Sequence, residues 1–385
     1  MLVRLGAQVQ EVLRRPGRRR RAVKTTRLRM TLREVTPAVQ RVIDVPAAIT
    51  LDELHEVLQV ALGWTDSHLH QYRTDSAVYS VPLNDWDGEG ETDERGVRLS
   101  ALPSQFTYLY DYGDGWTHEV EVLGPGGDAA GCVDGQGACP PEDCGGPGGY
   151  AELLTTLTDP RHPEHQAMRE WVGDRLCPFD QQATDRRVRD AVGRVPESVR
   201  LLLGLLADGV KLTPGGRLPR VVVRTVQQQR PDWYPLGRPA SIEEDLLPLA
   251  ALHDILRHVG LLRLAGGVLR PTKAAGDEVE TVRRLRSWFP PRGFSTFVAE
   301  RAVALVVARG SLTTRDLAAE VFSMLGHGWH RGNDPITVVD VEQELYRLAP
   351  QLAGADMLAT SWRAWTAGPS ARSLLPGATL LADLV

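Results

Sequence analysis

Cysteine, lysine and long apolar runs are scarce in this chain of 385 residues. Its four cysteines are too few for a scaffold held together by disulfides. The longest uninterrupted apolar run covers residues 302–308, whereas a helix needs roughly 20 apolar residues to cross a bilayer. The N-terminus has no apolar core of the signal-peptide type. We therefore expect a soluble, cytoplasmic protein that makes no membrane contact.

The rest of the composition is that of a globular protein. Hydrophobic residues make up 42% of the chain and charged residues 24%, which excludes collagen, coiled coil and wholesale disorder. At roughly 150 residues per domain, this length predicts two or three domains. We predict boundaries that divide the chain into residues 1–24, 25–185 and 186–385.

Positive charge is concentrated at the N-terminus. Residues 1–29 carry ten basic side chains and one acidic side chain, and hence +9, which leaves about −14 for the rest of a chain whose net charge is −5. The densest part is Arg18, Arg19, Arg20 and Arg21. A flexible arm of this kind can neutralise phosphates and bind nucleic acid of any sequence. The open alternative is a solvated tail with no specific partner.

The N-terminal half predicts a sheet with few helices. Polar and apolar residues alternate over 27–32, which predicts a strand, and Thr50 with Glu53 forms a capping-box pattern that predicts a helix ending at Gly63. Further strands are predicted at 39–45, 69–73, 106–112 and 116–123, a loop at 124–149, and short helices at 150–157 and 162–172.

The C-terminal half predicts helices separated by short hairpins. Ser241 with Glu244 opens a predicted helix over 242–258, and residues 261–270 predict a hairpin directly after it. A helix followed by a hairpin is typical of a winged helix. Thr313 with Asp316 opens a second predicted helix. A short pattern, L-x-P-G-x-x-L, occurs at 212–218 and again at 374–380, which hints at an internal repeat.

Three unusual blocks in the N-terminal half carry a family resemblance. They are GWTDSHLHQY at 63–72, FTYLYDYGDGWTHEV at 106–120 and CPPEDCGGPGGY at 139–150, and they follow RLRMTLREVTPAVQRVIDVP at 27–46. In this order they resemble the plasmid pRiA4b ORF-3-like family over about residues 25–180. The resemblance implies a compact α/β domain, a bacterial mobile-element context and a helical C-terminal extension of actinobacterial type. It implies no catalytic residues.

Together these observations predict an α+β protein. The N-terminal part is predicted to be a compact α/β domain with a mixed or antiparallel sheet. The C-terminal part is predicted to be mainly helical, with winged-helix-like hairpins.

A polar cleft is predicted from histidine and aspartate residues in the family blocks. Because His68 and His70 are two apart, they face the same side of a strand, where Asp111, Asp114 and Trp116 can join them. Imidazoles beside carboxylates can bind a divalent metal or transfer protons. The alternative is structural, since buried histidines also satisfy hydrogen bonds and aspartates often cap tight turns.

A zinc site is a further hypothesis. His118, Cys132, Cys139 and Cys144 offer one imidazole and three thiols, a ligand set that tetrahedral zinc accepts. Six residues separate the first two cysteines and four separate the next two, whereas structural zinc ligands are typically paired two to four residues apart. Thiols that are simply packed in a reducing compartment are the open alternative.

These features favour a non-enzymatic accessory or regulatory protein of mobile-element origin that binds nucleic acid or a protein partner. The alternative is a metal-dependent enzyme with a His/Asp site in the N-terminal domain. A DNA-reading helix normally carries several cations, and the helix opened by Thr313 offers only Arg315. The catalytic residues, the cofactor beyond a zinc candidate and the oligomeric state stay open.

Deleting residues 1–24 tests the arm. We expect lower affinity for duplex DNA of any sequence and a shallower dependence of that affinity on salt, because fewer phosphate contacts release fewer counterions. Fluorescence anisotropy between about 50 and 200 mM salt measures both. Equal binding by the full-length and shortened chains would contradict a nucleic-acid role for the arm.

Overall fold

A computed structural model describes residues 24–81, 90–234, 238–289, 293–325, 329–331, 334–361 and 364–375. The chain divides into two units, one ending at Val192 and the other beginning at Gly193. The first unit therefore extends to the end of a helix, beyond the predicted boundary at residue 185. The arginines of the predicted basic arm, Arg18, Arg19, Arg20 and Arg21, lie outside the described residues.

The first unit is built on a sheet of eight strands in the order β5-β4-β3-β6-β7-β1-β2-β8. Only β4 and β5 pair in parallel, so the sheet is mixed, which is one of the two arrangements predicted. The strands are β1 (Thr25–Leu32), β2 (Gln40–Pro46), β3 (His70–Arg73), β4 (Val78–Ser80), β5 (Glu91–Asp93), β6 (Gln105–Tyr110), β7 (Trp116–Pro125) and β8 (Gly131–Gln136).

Alternation in the sequence sets the buried face of the sheet. In β1, Leu28, Met30 and Leu32 are buried and the residues between them are partly exposed, because successive side chains of a strand point to opposite faces. β8 lies in the segment predicted to be a loop. Its sequence, GCVDGQ, has two glycines and no alternation, and it becomes a strand because it pairs with the edge of β2.

Four helices complete the described part of the first unit. They are α1 (Leu51–Leu62), α2 (Gly146–Thr158), α3 (His165–Val172) and α4 (Gln181–Val192). α1 begins as predicted, with the Thr50 N–H donating to Glu53 Oε2 at 3.0 Å, and ends at Gly63 in the left-handed conformation, φ 88°. α2 begins inside the glycine-rich segment, earlier than the predicted start at residue 150.

The second unit contains the same succession of elements twice. The first copy comprises α5 (Glu197–Leu205), β9 (Val210–Lys211), α6 (Arg220–Gln229), α7 (Leu247–His258), β10 (Leu262–Ala265) and β11 (Val268–Pro271). The second copy comprises α9 (Phe294–Arg309), β12 (Ser311–Leu312), α10 (Thr314–Ser323), α11 (Val338–Gly354), β15 (Leu358–Ser361) and β16 (Ala364–Ala367). The remaining elements are α8 (Glu278–Arg286), the short pair β13 (His330–Arg331) and β14 (Asp334–Pro335), and α12 (Ala371–Leu374).

Strand order agrees between the two copies. The sheets run β10-β11-β9 and β15-β16-β12, so the second strand of each hairpin lies in the middle. The internal repeat is therefore one of structure, with the copies at 197–271 and 294–367. It does not follow the L-x-P-G-x-x-L pattern, whose second occurrence lies mostly outside the described residues.

The predicted helix and hairpin at 242–270 are present, with a later helix start. A 3₁₀ turn precedes α7, and Asp245 Oδ2 accepts from the Ser241 and Ile242 N–H groups at 2.6 and 3.1 Å, so the predicted Ser241–Glu244 cap does not form. Pro248 explains the shift, because proline fits only the first turn of a helix.

The start of α10 is as predicted, since Thr313 Oγ1 accepts from the Asp316 N–H at 3.2 Å.

The third helices of the two copies, α7 and α11, pack against each other in the core of the second unit. A Cβ on Gly354 of α11 would lie 2.5 Å from the Pro248 carbonyl oxygen, so the absence of a side chain there permits this close approach.

A fully buried pair of polar side chains joins α7 to the segment before it. His253 Nδ1 lies 2.7 Å from Glu243 Oε1, and Glu243 Oε2 accepts from the Leu218 N–H at 2.6 Å. Glu243 is the shared partner, so its removal leaves both His253 Nδ1 and the Leu218 N–H without a hydrogen bond in the core.

Glu243→Ala tests this pair. We expect the free energy of unfolding to fall by about 3–5 kcal/mol, the cost of breaking a buried pair from one side. Glu244→Ala is the matched control, because the Glu244 carboxylate is exposed and pairs with Arg217 at the surface, where a pair contributes about 0–1 kcal/mol. Urea denaturation followed by circular dichroism measures both, and equal losses would contradict the prediction.

Candidate functional site

The three family blocks meet at one end of the first unit. One forms the loop after α1, another the turn between β6 and β7, and the third the loop that leads into α2. Trp64 Nε1 in the first loop donates to the Pro140 carbonyl oxygen at 2.8 Å, and the Gly145 N–H donates to Asp114 Oδ2 at 3.1 Å. These two hydrogen bonds therefore connect loops that are far apart in the sequence.

Tyr110, at the end of β6, holds these loops together. Its hydroxyl oxygen accepts from the Ser67 N–H at 2.9 Å and the His68 N–H at 3.3 Å, and its O–H donates to Glu142. Burial and the bond to the Glu142 carboxylate raise the pKa of Tyr110, so the hydroxyl stays protonated. Glu142 Oε2 also accepts from the Thr65 N–H at 2.9 Å.

One cluster of chemically active side chains consists of His68, Asp111 and Asp143. His68 Nε2 lies 3.1 Å from Asp143 Oδ1 and 3.6 Å from Asp111 Oδ2. The Asp111 carboxylate is buried, whereas His68 is partly exposed and Asp143 is exposed. The cluster therefore runs from a buried carboxylate to the surface.

Backbone geometry orients both carboxylates of this cluster. Asp111 and Asp143 have the left-handed conformation, with φ of 56° and 61°, which aspartate tolerates better than most residues. Asp111 Oδ1 accepts from the Gly113 N–H at 2.9 Å and the Asp114 N–H at 3.3 Å. These turn bonds leave Asp111 Oδ2 directed toward His68.

A second cluster lies deeper and is centred on two stacked imidazoles. The rings of His55 and His70 are parallel within 5°, with centroids 3.4 Å apart. His55 Nε2 lies 2.7 Å from Asp66 Oδ1, and His70 Nε2 lies 2.9 Å from Glu94 Oε1. Both histidines and Glu94 are buried.

The hydrogen bonds around His55 define its tautomer. Gln59 Oε1 accepts from the Asp66 N–H at 3.1 Å, so Gln59 Nε2 donates to the Tyr108 hydroxyl at 2.8 Å. The Tyr108 hydroxyl in turn donates to His55 Nδ1 at 2.8 Å, which leaves the ring proton on Nε2, facing Asp66. Burial lowers the pKa of His55, which favours this neutral, fully hydrogen-bonded ring.

The residues predicted to share a polar cleft are distributed over different environments. His68 and Asp111 come together, His70 belongs to the deeper cluster, and Asp114 accepts the Gly145 N–H. Trp116 is fully buried beside the Trp64 ring. The turn role foreseen for Asp111 is present in its bonds to Gly113 and Asp114.

Four members of the two clusters were missed by the sequence reasoning. Asp66 and Asp143 lie inside the family blocks, and His55 occupies the buried face of α1. The position of His55 could have been used as a signal. A histidine at a core position of an amphipathic helix indicates polar partners nearby, because a buried polar group needs hydrogen bonds. For Glu94 and Asp143 no local pattern marked the site.

The residues of the predicted zinc site are not brought together. His118 is fully buried, with Nδ1 3.2 Å from the Tyr108 carbonyl oxygen, and burial lowers its pKa to about 4. Burial raises the pKa of Cys132 to about 11, that of Cys144 to about 12 and that of Cys139 as well. Within the described residues, the ligand-type groups of three or more are the His55 and His68 clusters, and neither contains His118 or a cysteine.

No helix among the described residues combines the length and the apolar character that crossing a bilayer requires.

Comparison with known proteins identifies relatives of this chain. An uncharacterised protein, y4hQ, from Sinorhizobium fredii (strain NBRC 101917 / NGR234) is 43% identical over 156 residues, which cover 38% of this chain and 80% of that protein. The crystal structure of a protein of unknown function, MM3350 from Methanosarcina mazei Go1, is 30% identical over 41% of this chain and 96% of that chain, with a TM-score of 0.38.

The family resemblance suggested by the three blocks is confirmed. Residues 24–188 match the family described as plasmid pRiA4b ORF-3-like protein, and this range contains the sheet, both histidine clusters and the loops that join them. With this match and a 43% identical relative of which the chain covers 80%, the chain belongs to the plasmid pRiA4b ORF-3-like family.

Proposed function

We propose that this protein is a non-enzymatic accessory or regulatory protein of mobile-element origin whose second unit binds a protein partner. The mobile-element context is supported by membership of a family described after a plasmid reading frame. The observation that carries the binding role is the repeated succession of helix, strand, two helices and hairpin in the second unit.

Each copy has the element order that winged-helix modules use. Such modules present their third helix or their hairpin to a partner, which is a nucleic acid in some proteins and a protein in others. Two copies in one unit supply two such surfaces. The exposed residues of the third helices indicate which class of partner is favoured, a nucleic acid or a protein.

Apolar side chains at the start of both third helices favour a protein partner. Leu247 at the start of α7 is 59% exposed, and Val338 and Val339 at the start of α11 are 40% and 54% exposed. A helix that reads DNA contacts base edges from its N-terminal residues and carries positive charge. Exposed aliphatic residues at those positions suit another apolar surface instead.

The remaining exposed surface of α11 agrees with this assignment. Tyr346, 61% exposed, lies two turns beyond Val339 on the same face, and exposed tyrosine is typical of protein interfaces. Arg347 forms an ion pair with Glu344 on its own helix, and Arg331 pairs with Asp340 at 2.8 Å. These cations are therefore already neutralised by neighbouring carboxylates.

The chain that lacks residues 1–24 tests the class of partner. We expect its affinity for duplex DNA to be weaker than about 10⁻⁴ M, the weak limit of ordinary non-specific binding. We also expect no change with Val339→Asp, because this face does not meet phosphates. Fluorescence anisotropy measures both, with Leu123→Asp, an exposed apolar residue of the first unit, as the matched control. Salt-dependent binding that Val339→Asp abolishes and Leu123→Asp preserves would show a nucleic-acid partner instead.

A protein partner is tested by site-specific photo-crosslinking in the native host. Crosslinkers at positions 339 and 346 should trap the same protein, and a crosslinker at position 123 should not. Crosslinks that do not differ among the three positions would contradict a partner on α11.

A metal-dependent enzyme is the second candidate function. It is favoured by one observation, the meeting of His68 and Asp111 at a partly exposed position in the fold. Imidazole and carboxylate groups of this kind can hold a metal that activates water for hydrolysis. His70 and Asp114 were also predicted to belong to this site, but their side chains have other partners. His70 pairs with Glu94, and Asp114 accepts from the Gly145 N–H.

Turnover assays test the second candidate. An enzyme of this class should hydrolyse at least one of a set of simple phosphodiester, ester and peptide substrates when Zn²⁺ or Mn²⁺ is supplied. Asp111→Asn should then lower kcat by about 100-fold or more, since it removes a group needed at the metal. Turnover that is equal in the wild-type chain and in Asp111→Asn would remove this candidate.

A further inference from the structure

We propose that His68, Asp111 and Asp143 form a binding site for one divalent transition-metal ion, Zn²⁺ or Mn²⁺. The proposal rests on residues of the second candidate function, but it requires no enzymatic turnover. Three ligands from three separate parts of the chain converge here: the loop after α1, the end of β6 and the loop before α2.

The distances between the ligand atoms match those around a small metal ion. Ligands about 2.1 Å from a tetrahedral ion lie about 3.4 Å from one another. His68 Nε2 lies 3.1 Å from one carboxylate oxygen and 3.6 Å from the other, so the two values bracket that separation. All three ligand atoms lie within 4.8 Å of one another.

The His68 imidazole has an unused ring atom at this position. Its Nε2 atom is buried and makes no hydrogen bond, although it faces two carboxylate oxygens. A buried polar atom without a hydrogen bond is costly, and a metal ion would use its lone pair. A divalent cation would also balance the two carboxylates, one of which, Asp111, is buried.

Neighbouring groups hold two of the three ligands, His68 and Asp111, in place. The Tyr110 hydroxyl holds the backbone of His68, and the turn N–H groups hold Asp111 Oδ1, so that Oδ2 faces the imidazole. Such supporting bonds around the ligands are characteristic of metal sites in proteins. The site does not depend on rearrangement of the first unit.

The donor set and the exposure indicate the class of metal. One imidazole nitrogen with two carboxylate oxygens suits Zn²⁺ or Mn²⁺ better than Mg²⁺ or Ca²⁺, which prefer oxygen alone. Three protein ligands leave at least one position for water, as in open zinc sites. Asp143 is 70% exposed on its side chain, so an ion can enter from solvent.

The deeper group of His55, Asp66 and His70 is the competing metal site. Both ring nitrogens of His55 already have partners, the Tyr108 hydroxyl at Nδ1 and Asp66 at Nε2, and His70 Nε2 already lies 2.9 Å from Glu94 Oε1. The imidazole lone pairs lie in the ring planes, so the parallel stacked rings of His55 and His70 do not converge on a single ion. The structure therefore favours the His68 cluster.

Titration of the full-length, metal-free chain with Zn²⁺, and separately with Mn²⁺, tests the proposal by isothermal calorimetry. The wild-type chain should bind one equivalent of at least one ion. His68→Ala, Asp111→Asn and Asp143→Asn should each weaken binding by about 100-fold or more, because each removes a ligand, and the loss of an outer-shell partner alone already costs about 10–100-fold. Asparagine tolerates the left-handed backbone, so both Asn variants should keep their far-ultraviolet circular dichroism.

Two variants serve as matched controls. Asp128→Asn removes the same charge from an exposed carboxylate elsewhere in the unit, and Asp66→Asn removes the carboxylate of the competing group. Both should bind the ion with the wild-type stoichiometry and within about threefold of the wild-type affinity.

Several results would overturn the proposal. The first is that the wild-type chain binds neither ion. The second is that Asp66→Asn loses metal binding while His68→Ala keeps it. The third is that Cys144→Ser loses metal binding while His68→Ala keeps it. Binding that depends on His68 and Asp143 without turnover of any substrate would support the metal site and remove only the enzyme candidate.

Discussion

The hydrogen bond from Tyr110 to Glu142 joins the loops of the first unit that contain His68 and Asp143. Through this bond a residue at the end of β6 holds the loop before α2, and the same hydroxyl accepts the N–H groups of Ser67 and His68. The bond lies beside buried aromatic rings, where an unpaired carboxylate or hydroxyl would be costly. The positions of His68 and Asp143 relative to each other depend on it.

The first unit therefore contains two histidine clusters with different character. The deep cluster is a closed network in which Gln59, Tyr108 and His55 satisfy one another and end at Asp66. The outer cluster has a buried carboxylate, an imidazole nitrogen without a hydrogen bond and an exposed carboxylate. A network in which every hydrogen-bonding group has a partner stabilises a core. A cluster with an unpaired nitrogen atom and an exposed carboxylate is suited to binding a ligand. This contrast supports a role for the outer cluster in binding.

The second unit reaches its fold by repetition. Each copy buries one face of its third helix, and the two third helices pack against each other through Leu252 and Gly354. Because this packing uses the later turns of α11, the exposed aliphatic residues are left at its start. The proposed binding surface and the core are thus parts of the same helix. Apolar exposure at that position is unusual for a helix that meets phosphates, which is why a protein partner is favoured.

Local sequence signals were sufficient to predict several of the strands and helices. Alternation specified β1, the Thr50 and Thr313 caps specified α1 and α10, and the order of three blocks specified the family. Tertiary structure decided what depends on distant neighbours. β8 is a strand because β2 offers it an edge, and Asp143 reaches His68 because Glu142 binds Tyr110. Contacts between residues far apart in the chain leave no periodic pattern, so these features follow only from the folded arrangement.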